Sequence, residues 1–300
     1  MLPIADAHVH FWDLERHRYP WLEPVEPSGP FGKNAAIRKT YLLDDYLADA
    51  TRQNVTRMAH IEAGWDPADP LGEMRWIQEL ADARGAPHGH VAHIDLASED
   101  AETLIEQHAA FPLFRGVRDR LLDGDFTSAN ARDARIDDPA WHAGLKLLDR
   151  RGLTFDVQAP PALAAKAAEL AKTFSGVQFV LTGAGYPPSP DDSEAWARWR
   201  DRLRMLADVP NIVTKLSCLM LTEKKWTPEH AEVATETVAE IFGPDRVLVA
   251  SNFPVDRLFA SLDELFGHYR RWFAHQPEAD QRKMLHDNTV RVYGLGQGAR

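Results

Sequence analysis

The sequence predicts an α/β fold, a single (β/α)8 TIM barrel with an extra C-terminal helix occupying residues 1–300. Three observations lead there. Eight short apolar runs alternate strictly with eight stretches of helical period, which implies parallel strands joined by crossover helices. Closing eight such units leaves no edge strand and takes about 250 residues; the chain has 300. No glycine-rich nucleotide turn follows the first run, so an open doubly wound sheet is the weaker choice.

The first run, Ile4-Ala5-Asp6-Ala7-His8-Val9-His10, ends in two histidines one residue apart. In a strand these leave the same face. A segment rich in proline and aromatics follows over residues 12–36, and its Trp12, Tyr19, Trp21 and Phe31 are expected to plug a barrel mouth. So many aromatics argue against disorder. Leu43, Tyr46, Leu47 and Ala50 then mark one face of a helix. The alternation continues with strands over 55–62, 90–96, 114–118, 153–158, 177–182, 211–217 and 246–252. Helices are expected over 69–84, from Ser98 as N-cap, and over 139–151, 162–174, 193–207, 228–242 and 261–274. Pro139 suits a first helical turn and Gly152 a helix stop. A last helix is read over 280–293.

Composition excludes several classes. The formal net charge of −11 lacks the basic face of a nucleic-acid binder. No apolar stretch is long enough to span a bilayer, and no basic and apolar leader precedes the first strand. The single cysteine, Cys218, cannot form an internal disulfide. A cytoplasmic enzyme acting on a small molecule is the expectation, with no nucleic-acid or membrane partner; a homo-oligomer is compatible with it.

Active sites of such barrels lie at the C-terminal ends of the strands. The predicted strands end in His8 and His10, in His60 and Glu62, in His93 and Asp95, in Arg118, in Asp156 and Gln158, in Lys215 and Ser217, and in Asn252. A wet barrel mouth accounts for one or two such endings. Four histidines with carboxylates, a lysine and an arginine arriving from separate strands point to a pocket. His8 and His10 suit metal ligation or polarisation of a substrate. Glu62 suits a ligand or a base, or neutralises a neighbouring histidine, while His60 and His93 are read as packed behind the site. Arg118 suits a substrate carboxylate, or else a structural pair with Asp156; Arg115 and Arg120 replace it if the register slips. Lys215 orients a carbonyl or carboxylate, or pairs with a strand-end acid. Trp12 and Trp65 are expected to line the pocket. Trp196, Trp199 and Trp272 are read as packing, and Cys218 as filling space.

The opening residues Asp6-Ala7-His8-Val9-His10-Phe11-Trp12-Asp13 resemble the first-strand motif of the amidohydrolase superfamily. Within it they resemble the branch that holds L-fuconolactonase, L-rhamnono-lactonase, 4-sulfomuconolactone hydrolase and 2-pyrone-4,6-dicarboxylate hydrolase. Phe114–Arg118, Val213–Ser217, Ala250-Ser251-Asn252-Phe253-Pro254-Val255-Asp256 and the tail from His286 to Tyr293 extend the resemblance along nearly the whole chain. It implies a distorted (β/α)8 barrel that hydrolyses a small acidic or sugar-derived lactone. The resemblance also implies a histidine after strand six and an aspartate after strand eight, where this chain has Gly183 and Asn252. The usual ligand set is therefore incomplete. Three outcomes remain open: one divalent metal, Zn2+ first, on His8, His10 and Glu62; metal-free polarisation by the histidines and Arg118; or ligand binding without turnover.

In the expected mechanism an activated water attacks the lactone carbonyl. Asp156 or Glu62 handles the proton, Asn252 donates to the developing oxyanion, and Arg118 grips a substrate carboxylate beside Gln158 and Lys215. A metal-dependent decarboxylase or a lactone isomerase of the same superfamily is the alternative.

Overall fold

The computed structural model describes residues 1–23, 34–119, 136–159, 161–219 and 227–296. Strands β1 (Ile4–Val9), β2 (Val55–Ile61), β3 (Gly89–His93), β4 (Phe114–Asp119), β5 (Thr154–Val157), β6 (Gln178–Leu181), β7 (Ile212–Leu216) and β8 (Val247–Val249) pair in sequence order, all parallel. The chain's two ends close the sheet. The Asn252 N–H donates to the His8 carbonyl and the His10 N–H to the Phe253 carbonyl, each at 2.8 Å. The (β/α)8 barrel predicted from the alternation is the fold observed.

Helices α1 (Leu43–Asp49), α2 (Gly72–Arg84), α3 (Ala101–Ala109), α4 (Pro139–Arg151), α5 (Ala164–Thr173), α6 (Ser193–Ala207), α7 (Pro228–Phe242) and α8 (Leu262–Phe273) return the chain between strands and after the last. Their ends follow local chemistry. The Asp138 carboxylate accepts from the Ala140 N–H ahead of Pro139, and α4 stops at Gly152 with φ 61°. Ser261 and Glu264 form a reciprocal capping box on α8.

The structure departs from expectation in four places. β3 ends at His93, because Asp95 folds its carboxylate onto the Ala97 N–H and starts a turn. The helix after it begins behind Asp100, with the Ser98 hydroxyl bonded to the Asp100 N–H instead of capping the helix. β8 is only three residues long, since the chain turns left-handed at Asn252, φ 52°. The last helix is broken into α9 (Glu278–Arg282) and α10 (Asn288–Tyr293) by a π turn over Lys283–Asp287. Phe31 and Arg120 lie outside the described residues.

One apolar cluster fills the space between sheet and helices. A second lies inside the barrel, where Ala59, Ile61, Val91, Val180, Val213 and Leu248 project from the strands. Tyr293 and Leu295 join it from the chain's end and close the lumen. Alternation along each strand then decides which polar side chains share the lumen face. Arg118, Asp156 and Lys215 do, two residues on from Gly116, Thr154 and Val213.

Candidate active site

His8 and His10 meet at the mouth with their Nε2 atoms 3.0 Å apart, both buried. The His10 Nδ1–H donates to the Ile61 carbonyl at 2.8 Å, which leaves its Nε2 a bare lone pair. That lone pair also faces the Asn252 Oδ1 at 3.3 Å. The Asn252 Nδ2 points the other way and donates to the Asp256 carboxylate at 2.7 Å. The second Asp256 oxygen accepts from the Cys218 N–H at 3.1 Å. Nδ1 of His8 is buried with no hydrogen-bond partner.

Burial, with the Lys215 charge and its neighbours behind it, holds His8 well below the ordinary histidine range. Burial and the nearby Arg118 guanidinium bring His10 down to about 4. Both rings are therefore neutral at pH 7 and offer nitrogens to a cation or a proton. Burial raises the Asp256 carboxyl to about 7.

Two ion pairs frame the histidines. At the rim, Arg118 Nη1 lies 3.5 Å from Glu62 Oε1, and the other Glu62 oxygen accepts from the Gly64 N–H at 2.9 Å. The Arg118 Nε is buried without a hydrogen-bond partner. Deeper, Lys215 Nζ and Asp156 Oδ2 are 2.5 Å apart and fully buried. The Tyr293 hydroxyl donates to the same carboxylate, 2.8 and 3.0 Å from its two oxygens. Burial lowers the Lys215 pKa and the adjacent Asp156 opposes that shift.

A family profile described as Amidohydrolase matches residues 5–295. The chain belongs to the amidohydrolase family. It is 37% identical to the uncharacterised protein y4mH of Sinorhizobium fredii over 97% of this chain and 98% of that one. It is 29% identical to the L-fucono-1,5-lactonase of Burkholderia multivorans, covering 98% and 97% of the two chains. Among solved structures it is similar to a Burkholderia multivorans amidohydrolase with bound Zn, with a TM-score of 0.81, 26% identity, and coverage of 97% and 99%. Membership makes this chain an enzyme of the amidohydrolase superfamily.

Within this amidohydrolase some of the expected residues meet and others do not. His8, His10, Asn252, Glu62 and Arg118 assemble around the strand ends at the mouth, with the Lys215–Asp156 pair buried beneath them. Among the described residues, however, no three His, Cys, Asp or Glu side chains stand close enough to hold a metal ion. Glu62 is turned to Arg118 and Gly64, so the structure does not deliver it as a third ligand beside the histidines. Asp156 is not placed as a base, because Lys215 and Tyr293 occupy both its oxygens. Asn252 presents its oxygen to His10, not its amide hydrogens, so an oxyanion-donor role does not fit this arrangement.

The remaining residues have other surroundings. Gln158, just past β5, is buried. Trp12 is wholly buried behind His10, its indole N–H given to the Lys39 carbonyl. Trp65 packs on His17, Tyr19 and Trp76. His93, expected to be packed, is exposed, with its Nδ1 3.2 Å from the Arg118 carbonyl oxygen. His60 lies on the face turned from the lumen, between the inward Ala59 and Ile61. There it accepts from the Phe11 N–H at 3.0 Å and meets Nδ1 of His90 at 2.9 Å.

The sequence reading missed Glu73, His90, Asp256 and Tyr293. Glu73, in the first turn of α2, accepts from the Ala63 N–H at 2.8 Å; burial and the neighbouring Glu62 push its carboxyl well up. A helix-start glutamate gives no sign of that burial. Asp256 had a signal, a carboxylate four residues past a strand-end asparagine within a proline turn.

Proposed function

We propose that this enzyme hydrolyses a small, uncharged, sugar-derived lactone. The observation that carries this reading is the convergence of the His8 and His10 Nε2 atoms and the Asn252 Oδ1 beside the Arg118–Glu62 pair. The L-fucono-1,5-lactonase relative supports it. The charges of Arg118 and Lys215 face those of Glu62 and Asp156, so the described site is matched in charge. That balance favours a neutral lactone over the carboxylated one that an unpaired Arg118 would select.

The donor set suits a divalent cation. His10 Nε2 and Asn252 Oδ1 are two acceptors facing each other at 3.3 Å, an arrangement that a shared cation relieves. His8, His10 and Asn252 would hold it, three protein ligands as in catalytic zinc sites. Such an ion supplies Lewis acidity to a carbonyl and acidifies water. The chain's own residues do the rest. Arg118, with its free Nε, steadies the carbonyl oxygen as negative charge grows on it. Glu62 takes the proton from water as the oxygen adds to the carbonyl carbon. The acyl–oxygen bond then breaks, the leaving alkoxide takes that proton back from Glu62, and a hydroxy acid results. Asp156 and Tyr293 hold Lys215 in place behind His8.

The test is a panel of neutral aldonolactones and carboxylated lactones, read by indicator-coupled proton release. Turnover is expected with neutral lactones and not with carboxylated ones, and a preference for the carboxylated lactones overturns the charge-balance argument. A lactone panel without proton release, together with CO2 release from hydroxybenzoates, overturns the reading in favour of a decarboxylase.

A further inference from the structure

Asn252 Oδ1 faces His10 only because the other end of its amide is held elsewhere. An asparagine amide can rotate by half a turn at little cost in shape. Rotated, Asn252 would give an N–H to the His10 Nε2 lone pair, a better contact than oxygen against nitrogen. What opposes rotation is Asp256. It is buried and, as a carboxylate, accepts from the Asn252 Nδ2 at 2.7 Å and from the Cys218 N–H at 3.1 Å, so while it is ionised neither of its oxygens can face a rotated Asn252 oxygen without repulsion.

We infer that Asp256 is a positioning residue: it locks the Asn252 amide with its oxygen toward the two histidines, and thereby makes an amide a ligand for a divalent cation. The inference rests on the metal-binding part of the proposed function. Asp256 acts through Asn252, since its own oxygens are turned away from the histidines. The bonds to Asn252 and Cys218 also tie the exits of β8 and β7 together at two left-handed residues, φ 52° and 55°.

Exchanging the two functional groups tests this. In Asp256→Asn, the new amide has one oxygen for two N–H donors, so Asn252 rotates and loses its oxygen from the site. In the double variant Asn252→Asp/Asp256→Asn, the new amide donates to a carboxylate at 252 and still accepts from Cys218, so every bond is remade with the partners reversed. Zn2+ alone is titrated calorimetrically into chelator-stripped wild type and both variants. The expected result is a roughly 10–100-fold weaker Kd in Asp256→Asn, with affinity restored to wild type or better in the double variant. A purely structural role for Asp256 predicts no rescue, and either equal Kd values for wild type and Asp256→Asn or a double variant as weak as the single one overturns the inference.

A second measurement separates this inference from the metal reading. The Asn252 side-chain NH2 resonance, assigned by its loss in Asn252→Asp, reports the bond to Asp256 without any metal. If wild type binds no Zn2+, the metal reading fails, and the amide signal decides: a large shift in Asp256→Asn upholds the lock, and an unchanged signal overturns it.

Discussion

Arg118 and Glu62 face each other across the barrel mouth, guanidinium to carboxylate at 3.5 Å, with only a small part of each side chain reaching solvent. The separation is longer than a hydrogen-bonded pair, and the Arg118 Nε is left over. The pair is thus balanced in charge without a direct hydrogen bond at this separation, and the Arg118 Nε is the donor that a substrate oxygen would use.

Glu62→Gln keeps the size of this side chain and removes its capacity to take a proton. We expect kcat to fall about 10²–10⁴-fold with KM within a few-fold of wild type, measured on whichever neutral lactone is turned over. Arg118→Ala should lower kcat/KM more than Glu62→Gln alters KM. Equal activity of Glu62→Gln and wild type would move the base elsewhere.

Asp156 and Lys215 are wholly buried, so removing one partner strands the other's charge. Asp156→Ala should cost about 3–5 kcal/mol in urea denaturation. Tyr293→Phe, which deletes one hydrogen bond to the carboxylate, should cost about 1–2 kcal/mol. An Asp156→Leu/Lys215→Met double variant should recover most of the loss while remaining folded.

His8→Ala and His10→Ala each remove one of two converging nitrogens. Either change should abolish stoichiometric retention of a divalent metal, assayed by elemental analysis after purification, and lower turnover by at least two orders of magnitude. Chelation of wild type should mimic both, with activity returned by added Zn2+.

Acid should destabilise the fold below about pH 6.5. Burial lowers His10 and His88 to about 4 and His90 to about 3, and places His8 and His60 well below their ordinary range. As the pH falls through 6.5 the unfolded chain takes up these protons and the folded one does not, so stability is lost until the folded values are reached. Asp6, Glu73 and Asp256 act in the opposite sense, being raised on folding. The histidines outnumber them, so the urea midpoint should drop between pH 6.5 and pH 4. A flat or rising midpoint would show that the carboxyls dominate.

The fold was legible because parallel strands buried on both faces leave a plain apolar run, and helices of regular period separate them. The histidine pair was legible for a local reason, two residues one apart at a strand end. Asp156 misled because its neighbours in sequence are uninformative: its hydroxyl partner, Tyr293, is 137 residues away and enters from the other end of the barrel. His60 was read as packed behind the site and is, whereas His93, read the same way, is exposed at the end of β3. The orientation of Asn252 depended on Asp256, whose burial no local pattern announces.

Barrel closure has a consequence for how this catalyst comes into being. His10 and Asn252 are 242 positions apart, and the backbone bonds joining β1 to the residues after β8 are the seam on which both sit. The histidines of β1 cannot meet Asn252 until the strand–helix units between them have been made. Catalytic competence should therefore require closure of the ring, so in refolding the activity should return only with the protection of the amides that join β1 to the residues after β8.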